Sequence, residues 1–130
     1  RKNNPNLEII NRSAKREVIM KTQLTAEESA KLIELGVSRS KANGIWLPYV
    51  TEVQPFTLID ILDILPKEIR HNGCTYKLNI DYPPIGMVAA RYNSEDDDLD
   101  SLKGYLCEEL IDALYSLLVW CLEKGYVKLN

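Results

Sequence analysis

Apolar and polar positions follow two periods along this chain, and together they mark out helices and strands. The broadest apolar surface lies near the C-terminus, where Glu108, Glu109, Asp112 and Ser116 are the polar positions between Tyr105 and Leu122. At about 100° per residue, these four fall within one arc of roughly 100°. Leu106, Leu110, Ala113, Leu114, Leu117, Leu118, Cys121 and Leu122 occupy much of the opposite side. A helix so widely apolar must be covered by a sheet, by other helices or by a second subunit. Gly125 is expected to end it, and Tyr126 to Leu129 to return as a tail or edge strand.

Two shorter helices are announced by their caps. Thr25 and Glu28 have the spacing of a capping box, in which the hydroxyl and the carboxylate each take a free backbone N–H. A helix from Ala26 to about Leu35 follows, with Ala30, Ile33 and Val37 as its apolar stripe and Gly36 as its left-handed stop. Ser38 to Asn43 suits one further turn, and Ile45 to Val53, broken by Pro48, suits an irregular segment or an edge strand. Thr57 and Asp60 repeat the box and open a helix over Leu58 to Leu65. Asp60 and Asp63 are expected on its outer face, with Leu58, Ile59, Ile61, Leu62 and Leu65 inward and Pro66 at its end.

Between the helices the period changes to two. Asn72-Gly73 is a strong hairpin signal, because both residues tolerate the positive φ of a type I′ turn. Strands are expected over Glu68 to Arg70 and over Cys74 to Asp81, where Tyr76, Leu78 and Ile80 alternate with Lys77, Asn79 and Asp81. Pro83-Pro84 ends the second of these. Gly86 to Tyr92, richer in apolar residues, is expected to be a central strand, and Asn93 to Asp100 an acidic loop leading into the last helix.

The 130 residues, 45% hydrophobic and 27% charged, fit one globular domain. The apolar run Leu117 to Leu122 is far short of the roughly 18 residues of a membrane span, and no apolar h-region precedes a small-residue cleavage site. Three cysteines, an odd number, argue against a disulfide framework and for a reducing cytoplasm. Net charge is −3 but unevenly spread: residues 1 to 22 carry six cations against two carboxylates, +4, and residues 93 to 112 carry eight carboxylates against Lys103, −7. Residues 1–22 therefore read as a basic, flexible extension with one short ordered segment around Leu7 to Ile10, and 23–130 as the domain. Since the patterned sequence begins just after it, Met20 is a candidate internal start.

Candidate chemistry is sparse. Leu24 to Asn43 resembles the start of a helix-turn-helix, but Ala30 precedes Gly36 by six positions rather than four, and Gly44 and Pro48 interrupt the second helix. Asp96, Asp98 and Asp100 alternate like calcium ligands, yet Ser101 stands where the loop needs Gly and Cys107 where it needs the bidentate Glu. His71 lies three residues before Cys74, at a turn expected to be exposed and without an orienting partner. Asp60 with Asp63 and Glu108 with Asp112 are carboxylate pairs on polar helix faces, where solvation is the ordinary state. Trp46, Pro48 and Tyr49 form a small cluster suited to pinning a loop or docking a peptide. Phosphate-binding, serine-elbow, His-Glu-x-x-His and Cys-x-x-Cys motifs are absent from the sequence.

Three stretches carry a resemblance: "LTAEESAKLIELGV" (Leu24 to Val37), "FTLIDILDILPKEI" (Phe56 to Ile69) and "ELIDALYSLLVWCLEKGYV" (Glu109 to Val127). Together they resemble small uncharacterised proteins encoded in prophages and other mobile elements of gut bacteria. That group shares a capped N-terminal helix, a T-L-x-D-x-L-x-x-L-P segment and a closing D-A-L-x-x-L-x-x-W helix. The shared motifs are core and capping residues, so the resemblance implies a fold and brings no catalytic residues.

The expected fold is α+β: a small antiparallel sheet packed against the long C-terminal helix, with two shorter helices completing the cover. The expected function is that of a non-enzymatic accessory protein of a mobile element, without cofactor or metal. It would act in the cytoplasm through a protein partner or as a homodimer, by the excess apolar face of the last helix or an exposed sheet edge. The alternative is nucleic-acid binding through the basic arm, with Arg12, Lys15, Arg16, Arg39 and Lys41 as the contacts.

Overall fold

The computed structural model describes residues 7–9, 21–45, 54–83, 86–96 and 100–129. The element order is β1 (Leu7–Ile9), α1 (Ala26–Glu34), a 3-10 turn (Arg39–Lys41), α2 (Leu58–Ile64), β2 (Glu68–His71), β3 (Cys74–Asp81), β4 (Val88–Ser94), β5 (Ser101–Cys107) and α3 (Leu110–Lys124). The strands form one sheet in the order β1-β5-β4-β3-β2. Strands β2 to β5 are antiparallel neighbours, and β1 joins β5 in parallel with Leu7 opposite Gly104. Packed against the sheet, α3 completes an α+β fold.

Turn chemistry acts as expected at the β2–β3 hairpin. Asn72 at φ 52° and Gly73 at φ 80° give the two positive angles of a type I′ turn, and His71 then pairs with Cys74 and Ile69 with Tyr76. The central strand is β4. Val88, Ala89, Ala90, Tyr92, Asn93 and Ser94 along it are all buried, so both of its faces are covered. On the helix side, Ile69, Tyr76, Ala90, Tyr92, Tyr105 and Cys107 meet Ile111, Leu114, Leu117, Leu118 and Cys121 of α3, each of these five at 2% exposure or less. Burial of each large aliphatic there stabilises the fold by about 1.5 to 3 kcal/mol. The Tyr92 hydroxyl donates to the Pro66 carbonyl at 2.7 Å, which ties the end of α2 to the middle of the sheet.

Several sequence expectations are corrected. The last helix begins at Leu110 rather than near Tyr105, because Ser101–Cys107 is a strand that pairs with β4. An apolar stretch buried on both sides has no period-two signature, so it merges by periodicity with the helix that follows. Glu108 and Glu109 are the link between them, and Glu109, the N-cap, makes no side-chain capping bond. Asn93 and Ser94 belong to β4 rather than to an acidic loop, and that strand runs Val88–Ser94 rather than Gly86 to Tyr92.

In α1 the buried positions are Ser29 and Leu32, while Ala30 is exposed. Ser29 is buried because its hydroxyl accepts from the Phe56 N–H at 3.1 Å. In α2, Asp60 is inside and Ile59 outside, the reverse of the expectation. The expected segment Ile45 to Val53 lies, beyond Ile45, outside the described residues, as do Trp46, Pro48, Tyr49, Asp97 and Asp98. No described helix is long and apolar enough to cross a membrane.

Candidate interaction surface

Asp60 organises the surface around the start of α2. Its Oδ2 accepts from the Thr57 N–H at 2.8 Å and from the Asn43 N–H at 2.9 Å, and its Oδ1 accepts from Asn43 Nδ2 at 2.7 Å. In return, the Thr57 hydroxyl accepts from the Asp60 N–H at 3.1 Å, which completes the capping box. Burial pushes the Asp60 carboxyl upward, but the hydrogen bonds from Thr57 and Asn43 outweigh it and hold the group below the usual carboxylate range. A charged, fully bonded carboxylate thus clamps the loop after α1 onto the first turn of α2.

The same loop is fastened a second way. Gly44 N–H donates to the Pro55 carbonyl at 2.8 Å, Gln54 Nε2 to the Gly44 carbonyl at 3.0 Å, and the Ile45 N–H to Gln23 Oε1 at 3.0 Å. Gln23 in turn forms a bridge with Thr57. Gly44 fits because it lacks a Cβ: one built there would lie 2.7 Å from the Pro55 oxygen and 2.9 Å from Gln23 Oε1.

These contacts present two large aliphatic side chains to water. Ile45, two residues after Asn43, is 72% exposed, and Ile59, next to Asp60, is 65% exposed; Tyr82, at 68%, lies beyond β3. The 3-10 turn before Asn43 carries Arg39 and Lys41, both exposed. The Lys41 carbonyl accepts from Asn43 Nδ2 at 3.2 Å, so the turn is joined to the clamp through the same amide that holds Asp60. Among the described residues, no ion pair involves Arg39 or Lys41.

No family model, curated protein or solved structure matches the chain.

The expected nucleic-acid contacts separate into two groups. Arg39 and Lys41 share the 3-10 turn, and Arg12, Lys15 and Arg16 lie outside the described residues. After Gly36 the chain makes this three-residue turn and then the Gly44 contacts, so no second helix follows α1 before Ile45. Neither Ile59 nor Ile45 was singled out by its chemistry, yet the sequence held a signal for one of them. Leu58, Ile61, Leu62 and Leu65 have the i, i+3, i+4, i+7 spacing of a buried stripe, whereas Ile59 stands four residues before Asp63 and shares its exposed face.

Titratable groups gather at a second place. Lys21 Nζ lies 2.8 Å from Asp112 Oδ1 and 3.3 Å from Glu28 Oε1, and its backbone N–H donates to Glu109 Oε1 at 3.2 Å. Asp112 is only 5% exposed, so it is a buried, ion-paired group rather than a solvated member of a polar stripe. The cluster pins the chain before α1 to the first turn of α3. Asp60, spent on its clamp, makes no acid/base pair with the exposed Asp63.

His71 is half-buried at the end of β2, not exposed at the turn. Its Nδ1 is 3.1 Å from the Tyr126 hydroxyl, and Tyr126 packs on Trp120 at 5.4 Å between ring centroids. This arrangement fastens the C-terminal tail to the hairpin. Asp100 Oδ2 accepts from the Tyr76 hydroxyl at 3.2 Å, and among the described residues no group of His, Cys, Asp or Glu could hold a metal ion. Burial pushes the Cys121 thiol up to about 12, against a smaller lowering by the Tyr92 hydroxyl.

Proposed function

We propose that the protein is a non-enzymatic accessory protein of a prophage or other mobile element, acting in the cytoplasm by association with another protein. The observation that carries this reading is the pair Ile45 and Ile59, 72% and 65% exposed on a support held by the Asp60 clamp. Isolated exposed aliphatics are common on protein surfaces. Ile45 differs in that the Gln23 and Pro55 contacts fasten its loop, so a partner can cover it without first ordering that loop.

Other routes to association have less behind them. From Leu110 to Leu122 every apolar position of α3 is buried or packed against the core, so the helix that suggested a dimer by its pattern is used up within one chain. Strand β2, at one sheet edge, is four residues long and exposes Glu68 and Arg70, features that discourage strand addition.

The test is photo-crosslinking in cells with a benzophenone amino acid placed at position 59, and at position 124 as a control at the exposed end of α3. A heterotypic protein adduct from position 59 but not from 124 is the expected result. Equal adducts from both positions, or none from 59, would contradict the reading. Adducts with nucleic acid from position 59 would favour the alternative in which the basic residues bind phosphate.

A further inference from the structure

The two edges of the sheet are guarded in different ways. At one edge, β2 is four residues long and exposes Glu68 and Arg70. Toward the other, β5 is seven residues long with Lys103 as its one charged residue. Three residues of β1 lie along it, Leu7 opposite Gly104, Glu8 opposite Tyr105 and Ile9 opposite Leu106. A long, mainly apolar strand at an edge is a template for pairing with another chain, whereas a very short strand with an acidic residue at its centre is not. We infer that β1 is a detachable cover, and that β5 beneath it is a self-complementary edge through which two copies of this chain pair once β1 leaves.

Three observations support this. The first is how little ties β1 to the sheet: three parallel pairs, a pairing slightly weaker per residue than the antiparallel one. The second is that the rest of the chain has its own fastening. Eleven residues separate Ile9 from Lys21, and there the chain is pinned by the Lys21 ammonium on Asp112 and Glu28 and by its N–H on Glu109. The described core follows, from Leu24 to Cys121, so departure of β1 leaves these attachments in place.

The third is the sequence of β5 itself. A two-fold axis through Gly104 pairs the strand with its copy in antiparallel register, with Lys103 opposite Tyr105, Leu102 opposite Leu106 and Ser101 opposite Cys107. Both lysines are then staggered, and each meets a tyrosine ring, as Lys103 does within one chain, where its Nζ lies 5.2 Å from the Tyr105 ring centroid. An axis through Lys103 would instead set two ammonium groups directly opposite each other, which is destabilising. While β1 is in place, its tether gives it a local concentration of about millimolar at this edge, enough to exclude a second copy in dilute solution.

The test uses the full chain. Leu7→Pro, Glu8→Pro and Ile9→Pro together remove every N–H of β1 and with them its pairing. Wild type and this triple variant are compared by thermal melting and by sedimentation over a range of concentrations. Each is also mixed with an isotope-labelled copy of itself, treated with a short amine-to-amine crosslinker and mapped by mass spectrometry. Both proteins should melt cooperatively, and the triple variant should dimerise about tenfold or more tightly than the wild type. Mixed-isotope crosslinks should join Lys103 to Lys103, which lie about 7 to 8 Å apart on the diagonal of such a pair.

Loss of the cooperative melt in the triple variant would make β1 a part of the body and overturn the inference. A folded triple variant that stays monomeric would overturn it too, as would dimers of equal strength in both proteins or dimers whose crosslinks omit Lys103. The inference goes beyond the association reading above: none of these outcomes depends on Ile45 or Ile59, so the two fail separately.

Discussion

Replacing Asp60 with Ala separates a buried clamp from the solvated helix-face carboxylate that the sequence suggests. Its carboxylate accepts three hydrogen bonds of 2.7 to 2.9 Å, two from Asn43 and one from Thr57, and only 6% of the residue is exposed. A hydrogen bond to a charged group contributes about 1.5 to 3 kcal/mol. The three are not additive, and after truncation water reaches Asn43 and Thr57, so the expected loss is about 3 to 4 kcal/mol. Asp60→Asn keeps one oxygen for the Thr57 N–H but turns a donor toward a donor at Asn43, for a loss of about 2 kcal/mol.

The pH dependence has a definite sign. With the folded carboxyl held below its ordinary 3.8, the folded state binds fewer protons than the unfolded state as pH falls. The stabilisation is therefore complete above about pH 4 and disappears as pH drops through the folded value. Urea unfolding of wild type, Asp60→Ala and Asp60→Asn at neutral and acid pH reads both effects: a wild-type advantage at pH 7 that shrinks in acid. A loss below about 0.5 kcal/mol for Asp60→Ala, the size expected of an exposed surface change, would refute the clamp.

Three further outcomes are expected. Leu114→Asp places an unpaired carboxylate where exposure is 0%, costing several kcal/mol in a domain of marginal stability, so it should show no cooperative thermal transition by circular dichroism. Gly44→Ala sets a Cβ 2.7 Å from the Pro55 oxygen, and the shift this forces should cost about 1 to 3 kcal/mol in urea and speed amide exchange at Ile45. The Cys121 thiol, raised from 9.0 to about 12 by burial, keeps a proton that the unfolded chain gives up. Stability should then fall by about 1.4 kcal/mol per pH unit above about pH 9, and Cys121→Ala should flatten that slope in urea titrations.

Local rules with a specific stereochemical demand were the legible part of this chain. Both capping boxes, the Asn72-Gly73 turn and the left-handed Gly125 form as their residue types require, and strands β2 and β3 follow from alternation about the turn. The identity of β5 was hidden because burial on both faces removes the alternation that marks a strand, so Tyr105 to Cys107 read as the first turn of a helix. Asp60 was hidden for a different reason. Its burial depends on Asn43, seventeen residues away in sequence, and no local pattern announces a long-range partner. The same holds for Asp112 and Lys21. Of the interaction surface, Arg39 and Lys41 were visible as charges, whereas the exposure of Ile45 follows from the Gln23 and Pro55 contacts that only the fold supplies.

The most direct test of association is affinity capture of the tagged full chain from its native host, with and without nuclease, run in parallel for wild type and for Ile45→Asp with Ile59→Asp. A defined protein that survives nuclease with the wild type and is lost from the variant is the predicted result. Recovery of nuclease-sensitive nucleic acid alone, or of the same protein in equal amount with both chains, would contradict the account.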